Sequence, residues 1–330
     1  MCIALISTSH PRYALVLASN RDANSHKKQE YIARPTAPAE WWSAPNEHVL
    51  GGRDLLRSVQ GTWLGITRQG RLACLTNFRE DSTSAAPISG LQSRGGIALA
   101  YLTVPADSDE TPADAAARIV GTDGIHDVGG FSLLLGQLRR PAADGRRAPL
   151  GVISNRTPDA QDMPWIAAAK GEVHGLSNAH FGDASWPKVS SGERMLREVL
   201  AKDSMRTDAS KEQLVDELFD LLSVDTLPKR KAGQAWEARI MQLRNSIFIP
   251  PLHKNDGSLD ADELHAARSR DWVHARAAST GLDDVYATHQ QTVILVDMDG
   301  HVTFVERTLY TGKDDGTDSV RTFEFDIEGW

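Results

Sequence analysis

The chain has 330 residues, 41% of them apolar and 24% charged, a balance ordinary for a soluble globular protein with its own core. A formal net charge of −8 argues against general nucleic-acid binding, because phosphate contacts need a basic face. Two cysteines, Cys2 and Cys74, make no disulfide framework and fit a reducing compartment. The opening residues lack the basic head and unbroken apolar stretch of a secretory signal, and no apolar run approaches the ~20 residues of a membrane span. The expectation is a soluble, intracellular, cytoplasmic protein with no membrane span, peripheral membrane contact being left open.

Ile3-Ala4-Leu5-Ile6 and Tyr13-Ala14-Leu15-Val16-Leu17-Ala18 flank a turn signal at His10-Pro11 and predict a hairpin. Cys2 stands at its head, and Asn20-Arg21-Asp22 at the end of its second strand. Residues 24–50 read as a loop-rich excursion, with Trp41-Trp42 packing within it. Two runs, 61–67 and 71–78, predict a second hairpin around Gln69-Gly70, and residues 79–93 a polar loop. Ser93-Arg94-Gly95 opens a helical run through Leu102. A second helix begins at Thr111-Pro112, with threonine as N-cap and proline in the first position, and runs to Val120.

Strands are expected at 131–138 and 150–155, joined by a basic surface loop at 139–148, and at 171–176, ending in Ser177-Asn178. Trp186-Pro187-Lys188-Val189 enters a helix whose Met195, Leu196, Val199 and Leu200 share one face, and 211–222 repeats that spacing. Residues 223–238 read as a polar connection, Ser246 to Ile249 as a short strand, and 253–283 as a polar surface insertion. Asp299-Gly300 between the apolar runs 292–297 and 301–307 is a strong hairpin signal, and 320–327 adds a last strand.

Strands arriving as consecutive hairpins and not as βαβ units, with the helices clustered in the middle of the chain, predict an α+β fold of mainly antiparallel sheets. Runs such as 13–18 and 293–296 are apolar on both faces, which places the sheets face to face with helices outside. No domain break is legible, so the expectation is one αββα domain over residues 1–330, with surface insertions near 24–50, 139–148 and 253–283. No motif specifies an oligomeric state.

Met1-Cys2, Asn20-Arg21-Asp22, Gly61-Thr62-Trp63-Leu64-Gly65, Thr76-Asn77-Phe78-Arg79, Ser154-Asn155-Arg156, Gly175-Leu176-Ser177-Asn178, Trp186-Pro187-Lys188-Val189 and Thr292-Val293-Ile294-Leu295-Val296-Asp297 follow one another along nearly the whole chain. Together they resemble the Transport and Golgi organization protein 2, or NRDE, family. The family's namesake Asn-Arg-Asp-Glu ends here in Ala23, and its usual Tyr-Gly-Thr-Arg stands as Tyr286-Ala287-Thr288-His289. The resemblance implies the four-layer αββα sandwich of the N-terminal nucleophile hydrolases. It also implies Golgi organisation, protein secretion, lipid homeostasis and haem trafficking, with Golgi or mitochondrial association. A more distant likeness is to the bile-salt hydrolases and penicillin V acylases, whose pattern falls here on Cys2, Arg21, Asp22, Asn77 and Asn178.

Those residues imply a cysteine nucleophile. With Met1 removed, the α-amine of Cys2, with an unperturbed pKa near ~8, could take the proton of a thiol near ~8.5. Arg21 would favour the thiolate, Asp22 would hold the amine, and Asn77 with Asn178 would donate to the oxyanion. The expected ligand is a small acyl amide or thioester, with no cofactor required for catalysis. The alternative is a non-catalytic haem or acyl-lipid carrier on the same fold. The eleven histidines show no ligand spacing, no zinc motif is present, and Gly51-Gly52 and Gly95-Gly96 fit no nucleotide fingerprint.

Overall fold

The computed structural model describes residues 2–26, 36–55, 58–78, 93–121, 128–230, 234–253, 284–309 and 319–330. Its strands are β1 (Ile3–Ser7), β2 (Tyr13–His26), β3 (Thr36–Trp41), β4 (Val49–Asp54), β5 (Leu64–Thr67), β6 (Arg71–Asn77), β7 (Phe131–Gln137), β8 (Leu150–Ser154), β9 (Trp165–Ile166), β10 (Val173–Leu176), β11 (Leu252–His253), β12 (Asp284–Asp297), β13 (His301–Thr308) and β14 (Ser319–Asp326). Its helices are α1 (Gly95–Leu102), α2 (Pro112–Val120), α3 (Pro187–Ser204), α4 (Lys211–Leu222) and α5 (Trp236–Gln242).

The strands form two antiparallel sheets. One has the order β10-β1-β2-β12-β13-β14, with β11 paired to the far end of β12; the other runs β3 to β9 in sequence. β2 outruns its apolar stretch because β12 pairs along it from Asp284 opposite His26 to Asp297 opposite Tyr13. The Asp299-Gly300 turn places Gly300 at φ +91°, a conformation a side chain would strain.

Side-chain alternation explains the doubly apolar strands. Ala4, Ile6, Leu15, Leu17, Ile294 and Phe304 face Leu50, Ile66, Leu72, Leu134 and Val152 of the other sheet. The opposite face of the first sheet, with Ile3, Leu5, Val16, Ala18 and Val293, lies under Leu196 and Leu200 of α3 and Leu214 and Leu218 of α4. The outer face of the second, with Ala73, Leu75, Phe131 and Leu133, is covered by α1 and α2. Each such leucine or isoleucine contributes ~1.5–3 kcal/mol through burial, so polar residues inside the stack are costly unless paired. The architecture is the expected αββα sandwich. α2 begins as expected, Thr111 and Asp114 capping each other reciprocally.

The chain departs from expectation in three described places. The excursion at 24–50 contains β3 and the start of β4, and its Ala39, Val49 and Leu50 are buried. β3 is an edge strand carrying Pro38 within a register shift, where proline costs no ladder bond; that proline, with Gly51-Gly52 diluting β4, hid both strands. Ser246 to Ile249 is buried but unladdered: Ile249 N–H donates to the Thr288 hydroxyl (2.9 Å), and strand pairing starts only at Leu252. α5 begins inside the stretch read as a polar connection. Trp42 packs as expected, its indole donating to the Gly51 carbonyl (2.8 Å). Most of the 79–93 loop and all but the first residue of the 253–283 insertion lie outside the described residues.

Candidate functional site

The site is built on the hairpin register. Ile3 stands opposite Asn20, so Cys2, Ser19 and Arg21 point between the sheets with Ala4 and Leu17, while Asn20 and Asp22 point outward. Cys2 lines a pocket with Ser19, Arg21, Trp63, Gln290 and Glu306, enclosing about 430 Å³ of non-atom space including the solvent at its mouth. Cys74, on the facing sheet, lines the same pocket. Burial, with Cys2 nearby, pushes the Cys74 thiol up to about 12, leaving it protonated and inert at neutral pH.

Arg21 is fixed by two of its contacts. Its Nη1 donates to the Gln290 side-chain oxygen (2.7 Å), and its guanidinium carbon lies 3.7 Å over the Trp63 ring. Asp22 follows a register shift in β12, where Thr288 pairs with Asp22 and Gln290 with Arg21, leaving His289 as the extra residue of a bulge. The Asp22 carboxylate accepts from the Thr288 hydroxyl (2.7 Å) and the Tyr286 hydroxyl (3.5 Å). Thus Arg21 shares the pocket with the thiol, and Asp22 occupies the other face of the same strand end.

Asn77 and Asn178 meet where the two sheets end. The Asn178 side-chain amide donates to the Asn77 backbone carbonyl, and the neighbouring Ser177 hydroxyl donates to the Cys2 carbonyl (2.7 Å). Asn77 Oδ1 is buried and takes no partner among the described residues. The amide of Asn178 carries two N–H groups, so this latch leaves a second donor. Sequence reasoning gave Ser177, Gln290, Glu306 and Lys188 no roles. Ser177 and Lys188 appeared only as members of motifs, and the polar interruption Gln290-Gln291 before an apolar run was the signal at β12.

Two buried titratable groups flank Arg21. His289 is pushed down to about 3 by burial and then by the Arg21 charge. Burial raises Glu306, while the Ala39 N–H, Arg21 and Arg321 pull it back. The folded chain therefore holds the Glu306 proton more tightly than the unfolded chain. That contribution to stability is complete at low pH and is lost as pH rises through the folded value. Glu306→Gln, which keeps an acceptor for the Ala39 N–H, is expected to gain melting temperature relative to wild type as pH rises from about 4, the unfolded glutamate value. A pH series of thermal melts checks this; an unchanged difference between the two proteins across the series contradicts it.

Among the described residues no group of three or more histidine, cysteine, aspartate or glutamate side chains could hold a metal ion. No described helix is long and apolar enough to cross a membrane.

A family model described as Transport and Golgi organisation 2 matches residues 1–311. The human protein named Transport and Golgi organization protein 2 homolog is 29% identical over 334 residues, covering 99% of this chain and 100% of its own. The Drosophila melanogaster protein named Transport and Golgi organization protein 2 is 25% identical over 323 residues, covering 95% and 94%. Similar solved structures include penicillin V acylase from Agrobacterium tumefaciens, 11% identical with a TM-score of 0.39 over 99% of this chain and 86% of that one. Another is a mutant of the conjugated bile acid hydrolase from Clostridium perfringens, 8% identical with a TM-score of 0.31 over 99% and 98%. The chain belongs to the Transport and Golgi organisation 2 family.

Proposed function

We propose that this chain is a cysteine hydrolase of small acyl amides or thioesters, with Cys2 as nucleophile. The observation that carries the reading is the placement of the Cys2 thiol in a pocket beside the stacked, hydrogen-bonded guanidinium of Arg21. Once Met1 is removed, the α-amine of Cys2 takes the thiol proton, and the thiolate attacks the acyl carbon to form a C–S bond. The oxyanion draws on the free N–H of Asn178 and on the Asn77 amide. Collapse of the adduct breaks the C–N or C–S bond, the α-ammonium returns its proton to the leaving group, and water hydrolyses the thioester to release the acid. In this reaction the role of orienting the amine falls to Asp22, which the Thr288 and Tyr286 hydroxyls fix at the same strand end. The relatives' names attach the family to transport and Golgi organisation, and we place the hydrolysis in the service of those processes.

Acyl-enzyme trapping tests the reading. Untagged chain is mixed with a series of N-acyl amides and acyl thioesters, quenched in acid, and mapped by intact and peptide mass. An acyl adduct is expected on Cys2 and none on Cys74, whose thiol stays protonated. The same spectra report whether Met1 is gone. Neither adduct nor turnover across the series rejects the proposal.

A further inference from the structure

Lys188 has no part in the reaction above, yet it is among the largest fully buried side chains of the chain. It sits in the first turn of α3, directly after Pro187. One turn later, Gly192 brings the helix onto the strand: a Cβ there would stand 2.9 Å from Leu5 Cδ2 and 3.4 Å from Ile3 Cδ1. Lys188 shares that face one turn nearer the helix start, beneath the head of β1. The Lys188 Nζ lies 5.6 Å from the centre of the Trp186 ring, and its charge interacts with Asp22 and with Cys2.

A lysine here is expensive twice over. Its ammonium is withdrawn from water, and it lies at a helix N-terminus, where the backbone dipole disfavours cations. A methionine would fill the same space without either cost. A lysine kept at both costs points to a use for its head group. Arg21 from β2, Cys74 from β6 and Glu306 from β13 line the pocket with the thiol, His289 stands on the β12 bulge beside Arg21, and Asp22 from β2 and Lys188 from α3 lie on the other face of the sheet. His289 is neutral, and burial favours neutral Glu306. Cys74 keeps its proton. Arg21 is the positive charge on the thiol's own face, and Lys188 approaches the head of β1 from the other face of the sheet.

We propose that Lys188 is a positioning residue for the Cys2 nucleophile: a buried cation under the head of β1, anchored by Asp22, whose charge favours the thiolate. The inference rests on Cys2 being the nucleophile of the hydrolase reading. Burial is the largest influence on the Lys188 ammonium and lowers it from its ordinary value, while the charges of Asp22 and then Cys2 act against that.

The test reads the thiol, not the hydrolysis. Full-length, untagged wild type, Lys188→Met and Lys188→Arg are alkylated with iodoacetamide from pH 5.5 to 9.5, and the Cys2 peptide is quantified by mass. Lys188→Met is expected to react ~10-fold more slowly at neutral pH, with its curve displaced to higher pH, and Lys188→Arg to restore the wild-type curve. Superimposable curves for Lys188→Met and wild type overturn the inference. So does failure of the arginine to rescue, which would make Lys188 a packing residue. Exposure of Cys74 to the reagent reports unfolding, and if Lys188→Met unfolds, Lys188→Gln is read in its place by the same criteria. A displaced Lys188→Met curve together with a wild type that never hydrolyses an acyl substrate sinks the hydrolase reading alone. Unmoved curves in an active enzyme sink this inference alone.

Discussion

Replacing Cys2 by alanine is expected to lower acyl hydrolysis on the order of 10⁴-fold or more, while moving the melting temperature by only a few degrees. The Cys2 sulfur is the one protein atom that bonds covalently to substrate in the proposed reaction. Arg21 keeps its contacts with Gln290 and Trp63, Ser177 still donates to the backbone carbonyl of residue 2, and the Asn178 amide still donates to the Asn77 carbonyl, which the substitution does not touch. What is lost is one sulfur from a side chain that is 8% exposed, worth ~1 kcal/mol of burial. The comparison therefore separates chemistry from folding more cleanly than Asn178→Ala, which would also cut the latch between the two sheets. Cys2→Ser is the graded control. Its hydroxyl occupies the same place but ionises far less readily, so turnover should stay low unless the base is strong enough for an alcohol. Equal rates for wild type and Cys2→Ala would remove the thiol from the mechanism.

The layered fold was legible because its cause is visible in the residues themselves. Tyr13 to Ala18 and Val293 to Val296 are apolar on both faces, and each face meets a different layer, one the opposing sheet and one a helix pair. Thr111-Pro112 and Asp299-Gly300 announced a helix start and a turn by local chemistry alone. β3 was hidden because Pro38 is tolerated only at an edge, and an edge is a property of the assembled sheet. Ser246 to Ile249 misled for the converse reason: its apolar side chains are buried as a strand's would be, but Ile249 gives its N–H to a threonine side chain. At the site, alternation along two strands put Cys2 and Arg21 on one face and Asp22 on the other. Lys188 was visible only as a member of a motif, because nothing in a helix's first turn declares that its neighbours in space are Asp22 and Cys2.

His289 is expected to make the fold acid-labile, and the size of the effect follows from one burial. This chain places a histidine on the β12 bulge, 5% exposed and beside the Arg21 guanidinium. Burial and that charge push it down to about 3 from an ordinary 6.5. The unfolded chain thus takes up a proton that the folded chain refuses. The histidine's contribution is complete above ~6.5 and is lost as pH falls toward 3, to a total of ~5 kcal/mol at 1.36 kcal/mol per pH unit. At pH 4.5 the loss is ~3 kcal/mol, which is ~1 M in a urea midpoint at an m-value of 2–3 kcal/mol/M. His10, buried against Asp203 and also lowered, adds a smaller slope of the same sign. Lowered carboxylates such as Glu172 and Glu217 weaken the fold further into acid. The single-residue part is isolated by difference. Urea titrations of wild type and His289→Gln at pH 7.5 and 4.5 should show the wild type losing ~1 M more of its midpoint than the variant. The glutamine cannot gain a proton and retains the ladder bond in which Leu309 N–H donates to the residue-289 carbonyl (2.8 Å). Equal losses in the two proteins would mean that His289 is already charged beside Arg21, or open to water on its far side. Either would change the field that the Cys2 pocket presents to an acyl substrate.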